Sequence, residues 1–213
     1  FATCVGSADL GKVNYNKNMI YTEASAANRY IDLEGEFNKL SRLSANVAKE
    51  PTSTGVTLNN NVVNLSSAPK ETLYLNIKAE DLMGNEFIVE GTSFKENQAL
   101  VINVDLGDRT SYELPFTRVL LRDAKEGAFG TGEDKGTYTG HGNLLWNFYS
   151  STGGNVTTYT GEVKTCTEFK GTVLAPDAVI SSAASNQDGN FIGRQVHLGG
   201  GETHRWDFGG TLK

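Results

Sequence analysis

The chain has 213 residues, of which 38% are hydrophobic, and this length and composition suit one large domain with a buried core. Its 19 basic and 25 acidic residues give a formal charge of −6 without any basic cluster, which argues against nucleic acid or an anionic membrane as the partner. No apolar run approaches the roughly 20 residues of a membrane-spanning helix, so we expect no membrane insertion.

The first six residues, FATCVG, are predicted to form a short N-terminal strand that carries Cys4. The second cysteine is Cys166, and two cysteines in a chain rich in Asn, Thr, Ser and Gly suit an extracellular protein that does not depend on disulfides. The spacing leaves a Cys4–Cys166 bridge open. Because the chain begins on Phe1, we expect it to be a piece of a longer protein whose targeting signals lie elsewhere.

One long helix is predicted over about 24–49. Its apolar residues recur at helical spacing: Tyr30, Leu33, Phe37, Leu40 and Val47. Thr22 or Ser25 could cap its start, and Pro51 ends it.

From about residue 55 onward the chain is predicted to form short strands that are separated by Gly, Asn, Asp and Ser. The strand segments are TGVTLNNNVVNL, ETLYLNIKA, EFIVEGTSF, ALVINVDL, YELPFTRVLLRD, NLLWNFYS, VTTYTGEVKTCTEF, GTVLAPDAVISS, FIGRQVHL and THRWDFGGTL. Many strands with one helix favour a sandwich, a barrel or a β-solenoid, and the run over 171–202 resembles solenoid rungs. KEGAFGTGEDKGTYTGHGN is predicted to be an exposed loop.

Several segments together resemble the choice-of-anchor A domain of Gram-positive surface proteins. They are YIDLEGEFNKLSRLSANVA, ALVINVD, LLWNF, FKGTVLAPDAVI and GGGETHRWDFGGTL, in the order of that family and over roughly residues 20–212. The resemblance implies a mainly β fold with a right-handed β-solenoid core and one long packed α-helix, similar to ice-binding solenoids. It further implies one adhesin-head domain over 1–213, closed by the N-terminal strand 1–6, on the cell-wall-anchored, extracellular surface of a Gram-positive bacterium.

Some surface adhesins of this kind contain a thioester domain, in which a cysteine thiol is acylated by a glutamine side chain. Such a bond is an activated acyl group that a lysine amine can attack once. The protein must hold the thiol and the glutamine amide in contact and must shield the thioester from water. Cys4 lies between Phe1 and Val5, and Gly6 permits close backbone approach, which resembles the pattern of thioester domains.

Three glutamines are candidate partners for Cys4. Gln195 lies in FIGRQVHL, where an aliphatic residue follows three positions later, and Gln98 shares this spacing, whereas Gln187 is predicted to lie in a turn. We favour Cys4–Gln195. A Cys4–Gln98 link, a thioester that uses Cys166, and no thioester at all stay open.

His197 lies two residues after Gln195, on the same face of a strand, and could accept the proton of the incoming amine; a plain strand histidine is the alternative. Glu202 and His204 are interpreted as a pair that orients the last turn, and Asp188 as part of a turn rather than a calcium site.

Trp146 and Phe148 are interpreted as core residues. The Thr-rich alternation over 156–160 suits either an ice-binding face or an ordinary solvated strand. An internal Lys–Asn isopeptide stays open, because the sequence does not single out a pair.

No zinc spacing, phosphate loop or nucleophile motif is present, so we expect no cofactor, no metal and no turnover enzyme. The resulting hypothesis is a monomeric adhesin domain whose Cys4–Gln195 thioester captures a lysine amine on a host-surface or extracellular-matrix protein. The alternatives are a non-covalent adhesive solenoid that binds protein, glycan or ice, and a structural spacer of the cell wall.

Overall fold

The computed structural model describes residues 2–4, 20–22, 32–65, 67–69, 71–90, 94, 98–121 and 141–212. The chain divides into two compact units, Phe1–Lys39 and Leu40–Lys213. In the first unit, strand β1 (Ala2–Cys4) pairs in parallel with strand β2 (Ile20–Thr22), and Cys4 lies opposite Thr22.

The one described helix, α1, spans Leu33–Val47. Asp32 caps its start, since its Oδ1 accepts the backbone N–H of Gly35 at 3.2 Å. Thr22 lies in β2, so the prediction that it caps the helix is wrong. The predicted range of about 24–49 also extends too far at its end, because residues 48–50 form a turn before Pro51. Ser25 and the rest of 23–31 lie outside the described residues.

The second unit is built of short strands and two 3₁₀ turns, Ala79–Asp81 and His141–Asn143. The strands are β3 (Thr57–Asn59), β4 (Val62–Asn64), β5 (Thr72–Lys78), β6 (Glu86–Glu90), β7 (Ala99–Asp105), β8 (Ser111–Glu113), β9 (Arg118–Leu121), β10 (Leu144–Thr152), β11 (Asn155–Thr158), β12 (Glu162–Lys164), β13 (Phe169–Lys170), β14 (Thr172–Ser181), β15 (Gln187–Asp188), β16 (Phe191–His197) and β17 (Thr203–His204).

These strands form three sheets. The largest has the order β5-β7-β10-β14-β12-β8, with β11 beside β10 and β16 beside β14; the others are β13-β15-β17 and β3-β4-β6-β9. All of the named strand pairs are parallel except β3–β4 and β10–β11. The β3-β4-β6-β9 sheet curls as a half-barrel. The prediction of a mainly β fold with one helix is confirmed, and the described strands do not by themselves show a closed solenoid, so that part stays a prediction.

Two local features bend individual strand segments. The segment TGVTLNNNVVNL is a hairpin rather than one strand, because Asn60 and Asn61 have φ of 49° and 61° and reverse the chain. Two successive residues with positive φ form the hairpin turn that matches strand twist. In β14, the register with β16 shifts between Ala175 and Val179, next to Pro176, which cannot donate a ladder hydrogen bond.

The core of the second unit centres on Trp146, which is fully buried. Its ring contacts Phe87 at a centroid distance of 4.8 Å and Phe169 at 5.7 Å, and its Nε1 donates to the Lys170 carbonyl at 3.1 Å. Phe148 is also fully buried. The prediction that Trp146 and Phe148 are core residues is therefore confirmed.

The C-terminal half of α1 packs on the large sheet through a ladder of three asparagines. Asn76, Asn103 and Asn147 lie at one register position across β5, β7 and β10. Asn147 Nδ2 donates to Asn103 Oδ1, and Asn103 Nδ2 donates to Asn76 Oδ1, each at 2.9 Å.

The same amides bind the carbonyls at the end of α1. Asn147 donates to the carbonyl of Ser44 at 3.0 Å, and Asn103 donates to that of Val47 at 2.8 Å. The last carbonyls of a helix lack intrahelical partners, and the ladder supplies donors at this end. Leu40, Leu43 and Val47 pack beside it on an apolar cluster of the sheet.

Candidate functional site

Gln195 lies on β16, at the end of the large sheet. It pairs with Val179 of β14 and is exposed. Its carboxamide makes no hydrogen bond to any described residue. Among the described strands only β14 pairs with β16, so the other edge of β16 carries no strand from the described part of the chain. Two exposed apolar residues follow Gln195 in the chain: Val196 exposes 41% and Leu198 58% of its accessible surface.

Cys4 ends β1, and its backbone is the only part of it that the structure describes. Phe1, Val5 and Gly6 lie outside the described residues. The structure therefore does not test the Cys4–Gln195 pair, which stays a prediction.

The other two glutamines are buried and use their carboxamides to hold the fold. Gln98 Nε2 donates to the Pro69 carbonyl at 2.9 Å. Gln187 lies in the two-residue strand β15, so its prediction as a turn residue is wrong. Pairing of β15 with both β13 and β17 overrides the local Asn-Gln-Asp-Gly turn signal.

The carboxamide of Gln187 is saturated with hydrogen bonds. Its Oε1 accepts from Thr165 at 2.9 Å, and its Nε2 lies within 3.3 Å of the carbonyls of Cys166, Thr167 and Ser185. Such an amide is committed to the backbone around it.

Cys166 is a free, buried thiol. Its Sγ lies 3.6 Å from the Glu168 carbonyl, and burial raises the pKa of the thiol to about 12. Because the thiolate is the nucleophile, this cysteine is inert at neutral pH. The Cys4–Cys166 bridge that the spacing left open is not formed in the structure.

His197 ends β16, two residues after Gln195, so both side chains leave the same face of the strand. It is exposed. Its proposed role as a proton acceptor stays a prediction. The side chain of His141 lies outside the described residues.

His204 is held between two carboxylates at the edge of the β13-β15-β17 sheet. Its Nδ1 lies 2.6 Å from Asp188 Oδ1, and its Nε2 lies 3.2 Å from Glu202 Oε2. Burial lowers the pKa of His204, but the hydrogen bonds that its ring makes to the Asp188 and Glu202 carboxylates outweigh this effect, so the pKa is raised. The predicted Glu202–His204 pair is present. Within the described residues no group of three or more His, Cys, Asp or Glu side chains is arranged to hold a metal ion.

A polar groove of about 530 Å³ lies between the β7–β8 turn and the β10–β11 hairpin. The turn contributes residues 107–110, the hairpin contributes Ser150, Thr152, Thr157 and Thr158, and residues 159–161 complete the lining. Sequence reasoning noted the threonines of 156–160 but not the groove, because the residues that face them lie about fifty positions earlier. This distance in sequence leaves no local signal.

A comparison with protein families identifies the chain. Residues 3–205 match the family model described as "Putative Ice-binding-like adhesive domain". The chain belongs to this family. Searches of the curated proteins and of the solved structures gave no match. The described part of this adhesive domain contains no helix that is long and apolar enough to span a membrane.

Proposed function

We propose that this adhesive domain is displayed on the outside of a bacterial cell and attaches that cell to an external partner. The observation that carries the proposal is the family match, which covers nearly the whole chain. The finer assignment is a choice-of-anchor A domain of a Gram-positive, cell-wall-anchored protein. Its support is the sequence resemblance of segments such as LLWNF and GTVLAP, which lie in β10 and at the start of β14.

The mechanism we propose is covalent capture through a thioester between Cys4 Sγ and Gln195 Cδ. In its formation the S–C bond replaces the C–N bond of the carboxamide, and ammonia leaves with the thiol proton. A lysine amine of a host-surface or matrix protein then attacks the acyl carbon, an amide bond forms, and the Cys4 thiol is released. Each monomer acts once, so the reaction is capture rather than turnover.

The glutamine side of this proposal is supported by exclusion. Gln98 and Gln187 are buried with their carboxamides hydrogen-bonded, whereas the Gln195 carboxamide is exposed and makes no hydrogen bond to a described residue. Acyl transfer from Gln98 or Gln187 to a thiol would require breaking buried hydrogen bonds, each worth about 1 kcal/mol.

A thioester also needs apolar cover against water. Val196 and Leu198 line a pocket that Gln195 does not, on the opposite face of the strand, so the cover would have to come from the Cys4 side of the pair. His197, two residues along the same strand face, would accept the proton that the attacking amine loses.

Labelling with a small amine tests the mechanism. The chain is incubated with biotin-cadaverine, and the attached residue is located by peptide mass spectrometry. We expect one label per chain, on residue 195, and none in Cys4→Ala or Gln195→Ala, whereas the control Cys166→Ala labels like the wild type. Labelling at residue 98, or labelling that persists in Cys4→Ala, would contradict the assignment.

The alternative is non-covalent adhesion to protein, glycan or ice. The observation that favours it is the preformed polar groove between the β7–β8 turn and the β10–β11 hairpin. Adhesion of chain-coated beads to cultured epithelial cells separates the two mechanisms. Covalent capture predicts that Cys4→Ala abolishes wash-resistant attachment, and undiminished attachment of Cys4→Ala favours the alternative.

A further inference from the structure

The groove beside the β10–β11 hairpin has a size and a rigidity that suit a bound ligand. Its volume of about 530 Å³ lies within the range of small-molecule sites. Its base is fixed by backbone hydrogen bonds, since Glu162 N–H donates to the Thr110 carbonyl at 3.1 Å and Val179 N–H donates to the Gly161 carbonyl at 2.9 Å. The backbone at the base of the groove is therefore held in place by hydrogen bonds to the β7–β8 turn and to β14.

Gly161 is required for this shape. A Cβ at this position would lie 2.3 Å from Tyr159 Oη and 2.5 Å from the Thr110 carbonyl oxygen, both far inside van der Waals contact. Only glycine lets the β11–β12 connection lie so close to the β7–β8 turn. Tyr159 is buried beneath the groove, so its ring fills the base and its surface is not offered to a ligand.

The walls of the groove are lined with hydroxyl groups. Thr110, Thr152, Thr157 and Thr160 are exposed, and their hydroxyls make no hydrogen bond to a described residue. Thr158 is different, because its Oγ1 donates to Asp177. A threonine hydroxyl both donates and accepts, so four of them around one groove match a ligand whose own groups do both.

The charges in the groove indicate that the ligand is neutral. Among the described residues that line the groove there is one carboxylate, Asp108, and one guanidinium, Arg109. Arg109 is already paired with Glu80 at 3.3 Å and donates to the Leu106 carbonyl at 3.2 Å. An anionic ligand would be repelled by Asp108, since Arg109 is already paired with Glu80. A cationic ligand would be repelled by Arg109. Among the described residues that line the groove, Tyr159 is the only large apolar side chain and it is buried, so an apolar ligand would contact chiefly the methyl groups of the threonines.

We propose that this groove is a saccharide-binding site that recognises a neutral, hydroxyl-rich glycan. The inference rests on the proposed adhesive function, but it is independent of the thioester, because Gln195 and His197 do not line the groove. Asp108 and Arg109 accept and donate hydrogen bonds at its rim, and the threonine hydroxyls bind the sugar hydroxyls along its walls. Ice is a poorer fit, because these hydroxyls line a concave groove and do not form a flat array on stacked strands. The groove is built from a turn, a hairpin and the residues after that hairpin.

Binding to an array of immobilised neutral oligosaccharides built from glucose, galactose, mannose and their N-acetylated forms tests the proposal. We expect the wild-type chain to bind at least one of them. Thr157→Trp, which fills the groove, abolishes binding, and Thr157→Val, which keeps the shape but removes the hydroxyl, weakens it at least tenfold. The matched control is Thr57→Trp, on an exposed position of β3 outside the groove, and it binds like the wild type.

Two outcomes overturn the inference: no binding to any saccharide of the array, or binding that Thr157→Trp leaves unchanged while both variants show the wild-type circular dichroism spectrum. Thermal hysteresis lost in Thr157→Trp would assign the groove to ice and equally overturn it. The adhesive function is judged separately by bead attachment to cells. If wild-type beads attach to cells but the chain binds no saccharide, only the groove site is refuted. If the wild-type chain shows neither cell attachment nor saccharide binding, the proposed adhesive function is refuted as well.

Discussion

The asparagine ladder allows a sharp prediction about stability. Asn147 is fully buried, donates to the Ser44 carbonyl and to Asn103 Oδ1, and accepts from Ser44 Oγ at 2.6 Å. Asn147→Ala removes three hydrogen bonds of about 1 kcal/mol each and leaves the buried Ser44 hydroxyl without its acceptor. We expect the free energy of unfolding to fall by about 2–4 kcal/mol, a large part of the stability of a typical domain.

Urea unfolding followed by circular dichroism measures this loss. Asn76→Ala is the comparison variant: Asn76 belongs to the same ladder but is exposed, so water replaces its own lost donors, and only the second Nδ2 hydrogen of buried Asn103 loses an acceptor, at a cost of about 1–2 kcal/mol. Asn147→Asp should cost more than Asn147→Ala, since a carboxylate would face the Ser44 carbonyl and Asn103 Oδ1. Equal losses for Asn147→Ala and Asn76→Ala would refute the view that the ladder anchors α1.

Three further predictions concern the hairpin, the core and the sheet edge. Asn60→Val places a β-branched residue at a φ of 49° and should cost about 1–2 kcal/mol in urea unfolding, whereas Asn60→Gly should be close to neutral. Trp146→Ala should cost about 3–5 kcal/mol in the same assay, because the cavity it leaves is enclosed by Phe87 and Phe169. His204 has a raised pKa in the folded chain, so its stabilisation is fully present below about pH 6.5 and is lost as the pH rises through the folded value. The urea midpoint of the wild type should therefore fall relative to that of His204→Gln between about pH 6 and about pH 8, and parallel pH profiles would contradict this.

The strand segments could be predicted from sequence because each carries its own local pattern. ALVINVD and LLWNF are runs of apolar and β-branched residues, and they form β7 and β10. The pairing of these strands could not be predicted from one sequence, since parallel neighbours meet only after long connections. Of the two-residue strands β13, β15 and β17, the middle one runs against its local turn signal and is defined by its pairing with the other two.

The candidate site shows the same division. The sequence favours Gln195 among three glutamines, and that choice stays a prediction; the structure adds that Gln98 and Gln187 are buried and hydrogen-bonded. Gln187 was predicted in a turn because its neighbours are turn residues, but sheet pairing decided its place. Cys4 remains the part of the site for which a chemical measurement is needed.

The most direct test of the covalent account is the intact mass of the untreated chain under denaturing, non-reducing conditions. A thioester predicts a mass below that of the sequence by one ammonia, and Cys4→Ala and Gln195→Ala should each restore the sequence mass of their own variant. A wild-type mass equal to that of the sequence would contradict the thioester. A deficit of two hydrogens would also contradict it and would indicate a disulfide.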